Sequence, residues 1–311
     1  MCPEKNESIA VVGSSNYDVV VKVNEIPVVG ETVLAHGMET GFGGKGANQA
    51  MTIARLGGDI RFFTCIGSDV FGGLYMDHFK ASKINIEHIE VIENEHNGIA
   101  LINVDNEGRN NIVVYPGANS HLSSEMIMKN EKYILGSRLI ITQLEIPLSS
   151  VELLSKMKSE GNIFILNPSP LNKTINYDYI LKNVDILVPN EIELAQLSGI
   201  QTDGIKGISQ AAQKLIEKGV KTVVVTLGRK GAFVKSKDIE EHLDVRDVKV
   251  IDTEGAGDIF MGSFVCSFVK NGDLIKSVKF ANEVATVSVT RYGTQKSIPT
   301  EAELKEIYKM F

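Results

Sequence analysis

Asp252-Thr253-Glu254-Gly255-Ala256-Gly257-Asp258-Ile259-Phe260-Met261-Gly262 follows a mostly apolar run at 248–251 and leads into an apolar segment that ends at Asn271-Gly272. This pattern predicts a strand, a glycine turn and a helix. A helix that begins in such a turn presents free backbone N–H groups, which bind anions. Asp258 lies in its first turn, where the helix dipole favours an ionised carboxylate. The stretch indicates a phosphate site with a base beside it, although an ordinary strand-to-helix turn has the same pattern.

The composition is typical of a soluble globular chain. Of the 311 residues, 43% are hydrophobic and 23% charged, and the net charge is −7. Such a length allows one large domain or two ordinary ones. Lysine and arginine never occur more than two in a row, which argues against a nucleic-acid-binding surface. A small anionic ligand stays compatible with this composition because local fields outweigh net charge.

The three cysteines, Cys2, Cys65 and Cys266, are odd in number and form no CxxC motif. They are therefore interpreted as reduced thiols of a cytosolic protein. The first seven residues are polar and lack the apolar core of a signal peptide. The longest apolar runs are too short to span a bilayer. These features predict a cytoplasmic location.

From residue 139 onward, short apolar runs alternate with helical patterns. The predicted strands are 139–144, 163–166, 186–188 and 222–227, and the predicted helices are 149–159, 191–198 and 205–218. This alternation is typical of βαβ units. It predicts an α/β fold with a doubly wound, mostly parallel sheet and helices on both faces. The second half also predicts strands at 232–235 and 248–251, and helices at 273–291 and 301–310.

The first half of the chain mixes two kinds of strand. Buried strands are predicted at 9–13 and 60–66, with helices at 47–56 and 70–83. Half-exposed strands are predicted at 18–23, 32–38, 98–105 and 111–115, the last two joined as a hairpin by Asn106-Glu107-Gly108. Because the two kinds interleave, the exposed strands are expected to form a small sheet inserted into a single domain that comprises residues 1–311.

The segment Gly41-Phe42-Gly43-Gly44-Lys45-Gly46 matches the dinucleotide pattern G-x-G-x-x-G. The preceding residues 32–40 are too polar for the buried strand which that motif requires. Glycines also allow backbone N–H groups to approach a ligand closely. We therefore interpret this segment as a ligand loop with Lys45 and Asn48 at the start of a helix. A flexible loop with a solvated lysine is the alternative.

Polar residues follow several predicted strands, where ligands bind in parallel sheets. Asn16 and Asp18, one residue apart, point the same way on an extended chain and suit a polyol. An Asx turn explains this pair equally well. Glu145 ends another strand. Asn190 and Glu193 follow a third, where a helix capping box is a competing interpretation.

Residues 226–231, Thr-Leu-Gly-Arg-Lys-Gly, follow a further strand and offer a hydroxyl and glycine backbone to a nucleotide. The six histidines form no cluster in the sequence, so zinc sites and histidine-based triads are unsupported. The sequence thus indicates three adjacent sites. They are a polyol site, an anion turn with a base at 255–258, and a nucleotide-binding segment at 226–231.

The chain resembles the ribokinase family, the PfkB carbohydrate kinases, over nearly its whole length. The resemblance lies in Gly43–Ala50, Leu56-Gly57-Gly58, Ile66–Asp69, Tyr115–Asn119, Asn167–Pro170, Asn190–Glu193 and Asp252–Phe264. Within the family it is strongest to members that phosphorylate ribose. It implies an ATP-dependent kinase that acts on the 5-hydroxyl of D-ribose, with a β-sheet lid at residues 17–42 and 97–115. Two such lids would form a homodimer.

The resemblance also implies roles for individual residues. Asp258 would be the base, and Gly255, Ala256 and Gly257 the anion hole. Implied sugar contacts are Asn16, Asp18, Gly44, Lys45, Asn48 and Glu145. Implied nucleotide contacts are Asn190, Thr226, Gly228, Gly231 and Asn282. Asn190 and Glu193 would organise Mg²⁺ and its waters. A monovalent cation, usually K⁺, would lie at Asp252, Glu254, Ser288, Arg291, Gly293 and Ser297.

Three positions depart from the commonest family sequence, which are Glu254, Ile259 and Met261. An inward-facing Glu254 would add a charge near the cation, and the other two affect the expected sugar preference. The alternatives are a kinase of the same family for 2-deoxyribose, fructose or a nucleoside, and a non-catalytic sugar-sensing protein. A nicotinamide-dependent oxidoreductase rests only on the glycine pattern at Gly41.

Overall fold

The structure is a computed structural model and describes residues 7–311, so the predictions for Cys2 and for the polar N-terminus lie outside the described residues. Its strands are β1 Ile9–Val12, β2 Asn16–Lys22, β3 Gly37–Gly43, β4 Ile60–Gly67, β5 Ile89–Ile92, β6 Gly98–Val104, β7 Asn110–Tyr115, β8 Leu139–Thr142, β9 Ile163–Leu166, β10 Ile186–Leu187, β11 Thr222–Thr226, β12 Ala232–Ser236 and β13 Glu240–Leu243.

The α-helices are α1 Lys45–Arg55, α2 Val70–Ala81, α3 Ser124–Lys129, α4 Glu131–Leu135, α5 Leu148–Met157, α6 Asp178–Leu181, α7 Glu191–Ser198, α8 Gly204–Glu217, α9 Ala256–Asn271, α10 Leu274–Ser288 and α11 Glu301–Tyr308. Short 3₁₀ turns lie at Gly117–His121, Gly228–Lys230 and Gln295–Ser297.

In the described part of the chain, nine strands form the main sheet in the order β13-β12-β11-β10-β9-β8-β1-β4-β5. Strands β11 to β5 along this order run parallel, while β12 is antiparallel to both β11 and β13. The fold class predicted from the alternating pattern, an α/β protein with a mostly parallel sheet, is therefore confirmed.

Alternate residues of the central strand β1 enter two separate hydrophobic cores. Ile9 and Val11 pack in the core on one face, and Ala10 and Val12 in the core on the other. All four are fully buried. Side chains of a strand alternate between faces, and both faces here are covered by helices. This burial explains the uninterrupted apolar run.

The second sheet has the order β3-β2-β6-β7. Its strand β2 begins at Asn16, directly beyond the carboxyl end of β1, and pairs with β3 from Asn16 opposite Gly43 to Lys22 opposite Gly37. The hairpin predicted at 98–105 and 111–115 is confirmed as the antiparallel pair β6–β7. The second sheet therefore extends from the edge of the main sheet at which ligands bind in parallel folds.

Two predicted strands are wrong. The segment 32–38 lies outside the sheet up to residue 36, and the strand is β3 instead, which includes glycines assigned to the ligand loop. Residues 37–43 form the strand despite their glycines because their backbone is the part that pairs with β2. The segment 248–251 pairs with no strand of the described chain. The backbone N–H of Ile251 instead donates to the carbonyl of Val289 after α10.

Five elements of the described chain were not predicted from the sequence, namely β5, β13, α3, α4 and α6. Each is six residues long or shorter. Short elements show too few turns or alternations for a periodic pattern. Among the described residues, none of the helices combines the length and the apolar character needed to cross a membrane.

Candidate active site

The glycine turn begins α9. Gly255 is the N-cap with φ 70°, in the left-handed region, and no side chain caps this helix start. A Cβ at Gly255 would lie 2.1 Å from Cγ2 of Thr294, whereas a Cβ at Gly257 would meet nothing within 4 Å. Glycine favours the first conformation. The turn thus has one face packed on Thr294 and an open face with backbone N–H groups, which is the geometry of an anion site.

Asp258 is buried in the first turn of α9. Its Oδ2 accepts a hydrogen bond from Nδ2 of Asn48 at 3.0 Å, and its Oδ1 accepts one from Nε2 of Gln49 at 3.1 Å. Both donors lie on α1, which packs against α9. Two donors and the helix dipole favour the ionised carboxylate and set its orientation. A carboxylate held in this way can accept a proton.

The glycine loop approaches β1 and β2 through its backbone. Gly44 has φ 85°, and a Cβ there would lie 2.5 Å from the backbone nitrogen of Asn16. The backbone N–H of Lys45 donates to Oε2 of Glu145 at 2.9 Å, and the hydroxyl of Ser14 donates to the same oxygen. The structure therefore brings Glu145, which was predicted at a strand end, to the start of α1.

Asn16 and Asp18 lie on the same face of β2, as predicted. Asn16 is buried, and its Oδ1 accepts a hydrogen bond from Nδ2 of Asn119 at 2.7 Å. A Cβ at Gly43 would lie 1.9 Å from Oδ2 of Asp18, so a larger residue there would displace this carboxyl group. The pair thus lies in β2, beside β3, and not in an Asx turn that leaves the sheet.

The site concentrates negative charge. Burial, followed by the charges of Glu254, Glu145 and Asp258, raises the pKa of Asp18 to about 8. Burial opposes the charge of Lys45, but Asp258, Glu145 and Glu193 outweigh it and raise the Lys45 pKa. Lys45 is therefore a firmly charged ammonium among carboxylates, which keeps it cationic towards a polyanionic ligand.

A cavity of about 630 Å³ adjoins the glycine turn. Its lining includes Asn190, Thr226, Gly228, Gly231 and Asn282, together with Lys45 and the residues 255–258. The predicted nucleotide residues and the predicted anion turn therefore share one cavity. The carboxyl ends of β9, β10 and β11 also reach it through Asn167, Val188 and Thr226, as expected for a parallel sheet.

Close backbone contacts fix the part of the cavity lined by Gly228, Gly231 and Asn282. Gly231 has φ 79°, and a Cβ there would lie 2.0 Å from the carbonyl oxygen of Leu243. Nδ2 of Asn282 donates to that same oxygen at 3.2 Å. Gly228, with φ 56°, has open space where a Cβ would be. Asn282 thus fastens the cavity wall with its amide nitrogen and leaves its amide oxygen for a ligand.

Asn190 and Glu193 form the capping box that the sequence left as the competing interpretation. Oδ1 of Asn190 accepts from the backbone N–H of Glu193 at 2.8 Å, and Oε2 of Glu193 accepts from that of Asn190 at 2.9 Å. Glu193 is buried, and burial raises its pKa. Both residues also line the cavity, so the cap places a carboxylate there.

No group of three or more His, Cys, Asp or Glu side chains within residues 7–311 could hold a metal ion. Mg²⁺ keeps several waters and uses one or two carboxylates together with substrate phosphates. Glu193 at the cavity fits a magnesium ion held in that way, through water.

Asp252 joins the two segments that the resemblance assigns to a monovalent cation. Its Oδ2 accepts from the backbone N–H of Gly293 and its Oδ1 from that of Glu254, each at 2.9 Å. Ser288 and Ser297 donate their hydroxyls to backbone carbonyls, so their oxygen lone pairs stay available. This donor set of oxygens fits a hard cation.

Two residues of that set behave differently from the rest. The guanidinium of Arg291 pairs with Glu303 and holds the Glu303 pKa down to about 2. Only the carbonyl oxygen of Arg291 is then left for a cation. Glu254 is exposed, and its charge raises the pKa of Asp18. Its carboxylate therefore acts electrostatically on the polyol site.

Sequence reasoning missed several residues of the site. Gln49 binds Asp258 directly, yet the sequence showed only that it follows Asn48. Asn119 occurs in a family motif but had no role before its bond to Asn16 was seen. Gln295 binds Asn48 at 3.0 Å, and no local pattern indicates this contact. Val245, Val248 and Val250 line the cavity and lie in the segment partly mistaken for a strand.

The geometry is that of a kinase-like site. The anion turn at 255–257 and the base Asp258 lie between a cavity of nucleotide size and a polar wall, which is formed by Asn16 and Asp18 of β2. The sequence pattern described as pfkB family carbohydrate kinase matches residues 6–301. The chain belongs to this family, and the sequence resemblance and the fold it implied are thereby confirmed. It is an ATP-dependent sugar kinase by family.

The chain is 38% identical over 301 residues to a ribokinase of Haemophilus influenzae, covering 96% of this chain and 98% of that protein. It is 36% identical over 299 residues to a deoxyribokinase of Salmonella typhimurium, covering 96% and 97%. A solved structure of Arabidopsis thaliana ribokinase complexed with ribose and ATP has a TM-score of 0.90 at 30% identity, covering 97% of this chain and 98% of that one.

Proposed function

We propose that this enzyme transfers the γ-phosphoryl group of ATP to the 5-hydroxyl of D-ribose and produces ribose 5-phosphate. The observation that carries the proposal is the position of Asp258. Its carboxylate is held by Asn48 and Gln49 at the boundary between the cavity and the polar wall of β2. The similarity to a ribokinase of Haemophilus influenzae supports ribose as the sugar.

In this mechanism Asp258 orients the sugar hydroxyl and accepts its proton as the oxygen attacks the γ-phosphorus. The P–O bond to ADP breaks as the new P–O bond forms. Phosphoryl transfer depends mainly on alignment and on neutralising charge at the equatorial oxygens. The N–H groups of Gly255, Ala256 and Gly257 are proposed to supply that neutralisation.

The polar wall would select the sugar. Asn16, Asp18, Lys45, Asn48 and Glu145 offer carboxylate, amide and ammonium groups within one small region, which suits a ring of vicinal hydroxyls better than an aromatic base. Gly44 lets the backbone come close to the ligand. Asn190, Thr226, Gly228, Gly231 and Asn282 would hold the nucleotide in the cavity.

Two cations complete the proposal. Asn190 and Glu193 would hold Mg²⁺ through water, and the ion, when bound, would supply charge neutralisation for the phosphates. A monovalent cation would lie beside the anion turn at Asp252, Glu254, Ser288, Arg291, Gly293 and Ser297, chiefly through main-chain oxygens. Asp252 supports this site because it already fixes both segments.

The second sheet would act as a lid. It carries Asn16 and Asp18 on β2 and Gly43 at the end of β3, so its movement would open and close the sugar site. Closure would exclude water and limit wasteful hydrolysis of ATP. We place the lid at residues 17–42 and 97–115 of a single domain comprising residues 1–311.

A homodimer through this sheet is also proposed. All six residues of the edge strand β7 are exposed, and Ile112, Val113, Val114 and Tyr115 place apolar side chains on both of its faces. Exposed apolar patches of this kind mark interaction surfaces. Sedimentation of the wild type against Val113→Lys tests it, and an unchanged mass for the two proteins would count against the dimer. We expect the enzyme to work in the cytoplasm.

The experiment that tests the function is an ADP-coupled assay with ATP and a panel of ribose, 2-deoxyribose, fructose and adenosine, run in K⁺ and in Na⁺. We expect the highest kcat/KM with ribose and faster turnover in K⁺. The second candidate is 2-deoxyribose, which the similarity to the Salmonella deoxyribokinase favours. ADP release with none of the four would point to a sugar-sensing protein.

A further inference from the structure

We propose that Gln295 and His78 are positioning residues that hold Asn48, and through it Asp258, in the orientation needed for turnover. The proposal rests on the function proposed above. Neither residue is among those that line the cavity, and the described donors to Asp258 are Asn48 and Gln49 instead. They act through a chain of hydrogen bonds that begins at the carboxylate of Asp258 and ends at α2 and β3.

The direction of each hydrogen bond in this chain follows from the first. An ionised carboxylate only accepts, so Asn48 must present its amide Nδ2 to Asp258, at 3.0 Å. Its Oδ1 then points away and requires a donor. Nε2 of Gln295 supplies it at 3.0 Å. The amide of Gln295 is therefore oriented by the base, although the two side chains share no contact.

The remaining atoms of Gln295 are held by α2. Its Nε2 also donates to the hydroxyl of Tyr75 at 3.3 Å, and Tyr75 donates to the carbonyl of Gly43. Its Oε1 lies 2.8 Å from Nε2 of His78. Because that oxygen can only accept, the imidazole must carry its proton on Nε2. Every polar atom of the Gln295 side chain thus has a partner.

Three members of this chain, Asn48, Gln295 and Tyr75, are buried and have little water to replace a lost partner, whereas His78 is half-buried. Asn48 is 6% exposed, Gln295 8% and Tyr75 0%. If Gln295 loses a partner, a buried polar atom is left unsatisfied, which is costly. The amide of Asn48 therefore has one favoured orientation, with its N–H towards the base.

The same residues connect the base to the second sheet. The imidazole of His78 stacks on Phe42 of β3, with ring centroids 3.9 Å apart and planes 5° apart. Tyr75 binds the carbonyl of Gly43, the last residue of β3. The residue before Gln295 is Thr294, which packs on Gly255 of the anion turn. Gln295 therefore lies between β3, the base and the anion turn.

The decisive variant is Gln295→Glu, which keeps the shape of the side chain but replaces its donor with an acceptor. Asn48 would have to rotate its N–H towards the new carboxylate and turn its oxygen to Asp258. We expect kcat to fall about tenfold to 100-fold, as for a small misplacement of reacting groups, with KM for ATP nearly unchanged. The melting temperature should also fall, because the variant places a carboxylate where a buried amide stood, and a double-mutant cycle then separates positioning from stability. Gln295→Leu should show a smaller loss.

Two variants of His78 separate its donor from its stacking. His78→Gln keeps a donor for Gln295, whereas His78→Phe keeps the stacking on Phe42 and loses the donor. We expect His78→Gln to retain several times more kcat than His78→Phe. Asp77→Asn, on the exposed side of the same helix, is the matched control and should match the wild type.

A double-mutant cycle with Asp258→Asn distinguishes positioning of the base from a general structural role. If Gln295 acts through the carboxylate, Gln295→Glu should lower the residual turnover of Asp258→Asn much less than it lowers that of the wild type. Equal fold-losses in both backgrounds, or a kcat for Gln295→Glu equal to that of the wild type, would overturn the inference. A wild type without turnover on any sugar would instead overturn the proposed function, and the inference with it.

Discussion

Nδ2 of Asn48 donates a hydrogen bond to Oδ2 of Asp258 at 3.0 Å, although the two residues are 210 positions apart in the chain. Asn48 lies in the first turn of α1 and Asp258 in the first turn of α9. The two helices pack against each other, so the ligand loop before α1 and the anion turn before α9 meet. The proposed base is thereby fixed against the proposed sugar site.

The first prediction concerns the base. Asp258→Asn should fold and bind ribose but lose about 10²–10⁴-fold in kcat, the usual contribution of a general base. The amide keeps the size of the side chain but cannot accept the proton. A discontinuous assay of ADP release gives kcat, and isothermal titration calorimetry with ribose gives the affinity for the sugar. A kcat close to that of the wild type would remove Asp258 from this role.

The second prediction concerns the anion turn. Gly255→Ala should lower the melting temperature and kcat together, because its Cβ would lie 2.1 Å from Cγ2 of Thr294. Gly272→Ala is the matched control, since Gly272 also has φ 70° but has nothing within 4 Å of a Cβ. Strain at positive φ alone costs about 1–2 kcal/mol.

The double variant Gly255→Ala with Thr294→Ser should recover part of the stability lost in Gly255→Ala, because serine lacks the methyl group that meets the new Cβ. Thermal unfolding of the wild type, Gly255→Ala, Gly272→Ala and the double variant gives the four melting temperatures to compare. Equal losses of stability in Gly255→Ala and Gly272→Ala would mean that packing on Thr294 has no effect on the turn.

The third prediction concerns pH. The pKa of Asp18 is about 8 in the folded enzyme against its usual 3.8. The folded state thus binds more protons than the unfolded state between these values, and this group makes the free energy of unfolding fall as pH rises from about 4 to about 8. Asp18→Asn removes that dependence. Its melting temperature without sugar should exceed that of the wild type at pH 8.

The difference between Asp18→Asn and the wild type should shrink as the pH is lowered through 4, because below its usual pKa of 3.8 the aspartate is protonated in both states. Glu254→Gln should have the same sign with a smaller size, because the charge of Glu254 raises the pKa of Asp18 second only to burial. A difference in melting temperature that is constant with pH would contradict the assignment.

The fourth prediction separates the two roles of Glu193. Glu193→Gln can still complete the capping box with Asn190, so its stability should stay near that of the wild type. Its loss of charge should raise the Mg²⁺ concentration needed for half-maximal turnover. Glu193→Ala should in addition lose about 0.5–2 kcal/mol of stability, as capping variants do. If neither Glu193→Gln nor Glu193→Ala changes the Mg²⁺ concentration needed for half-maximal turnover, the role of Glu193 is limited to capping α7.

Much of the fold could be predicted because the signals are local. The helix predicted at 191–198 agrees residue for residue with α7, since its cap and its glycine end lie within nine residues. The failures have a common cause. Residues 248–251 are apolar enough for a strand, but a strand forms only where the chain lies beside another strand, and the fold places this segment against Val289 after α10 instead. Only the assembled sheet decides that.

The sequence by itself determined the α/β class, the glycine turn and Asp258, because periodicity, glycine and capping residues act over a few neighbouring positions. Tertiary structure alone decided which side chains complete the site. Gln295 reaches Asn48 across 247 positions and His78 reaches Gln295 across 217. No local pattern encodes such contacts, because they arise only when α1, α2 and the turn after α10 pack together.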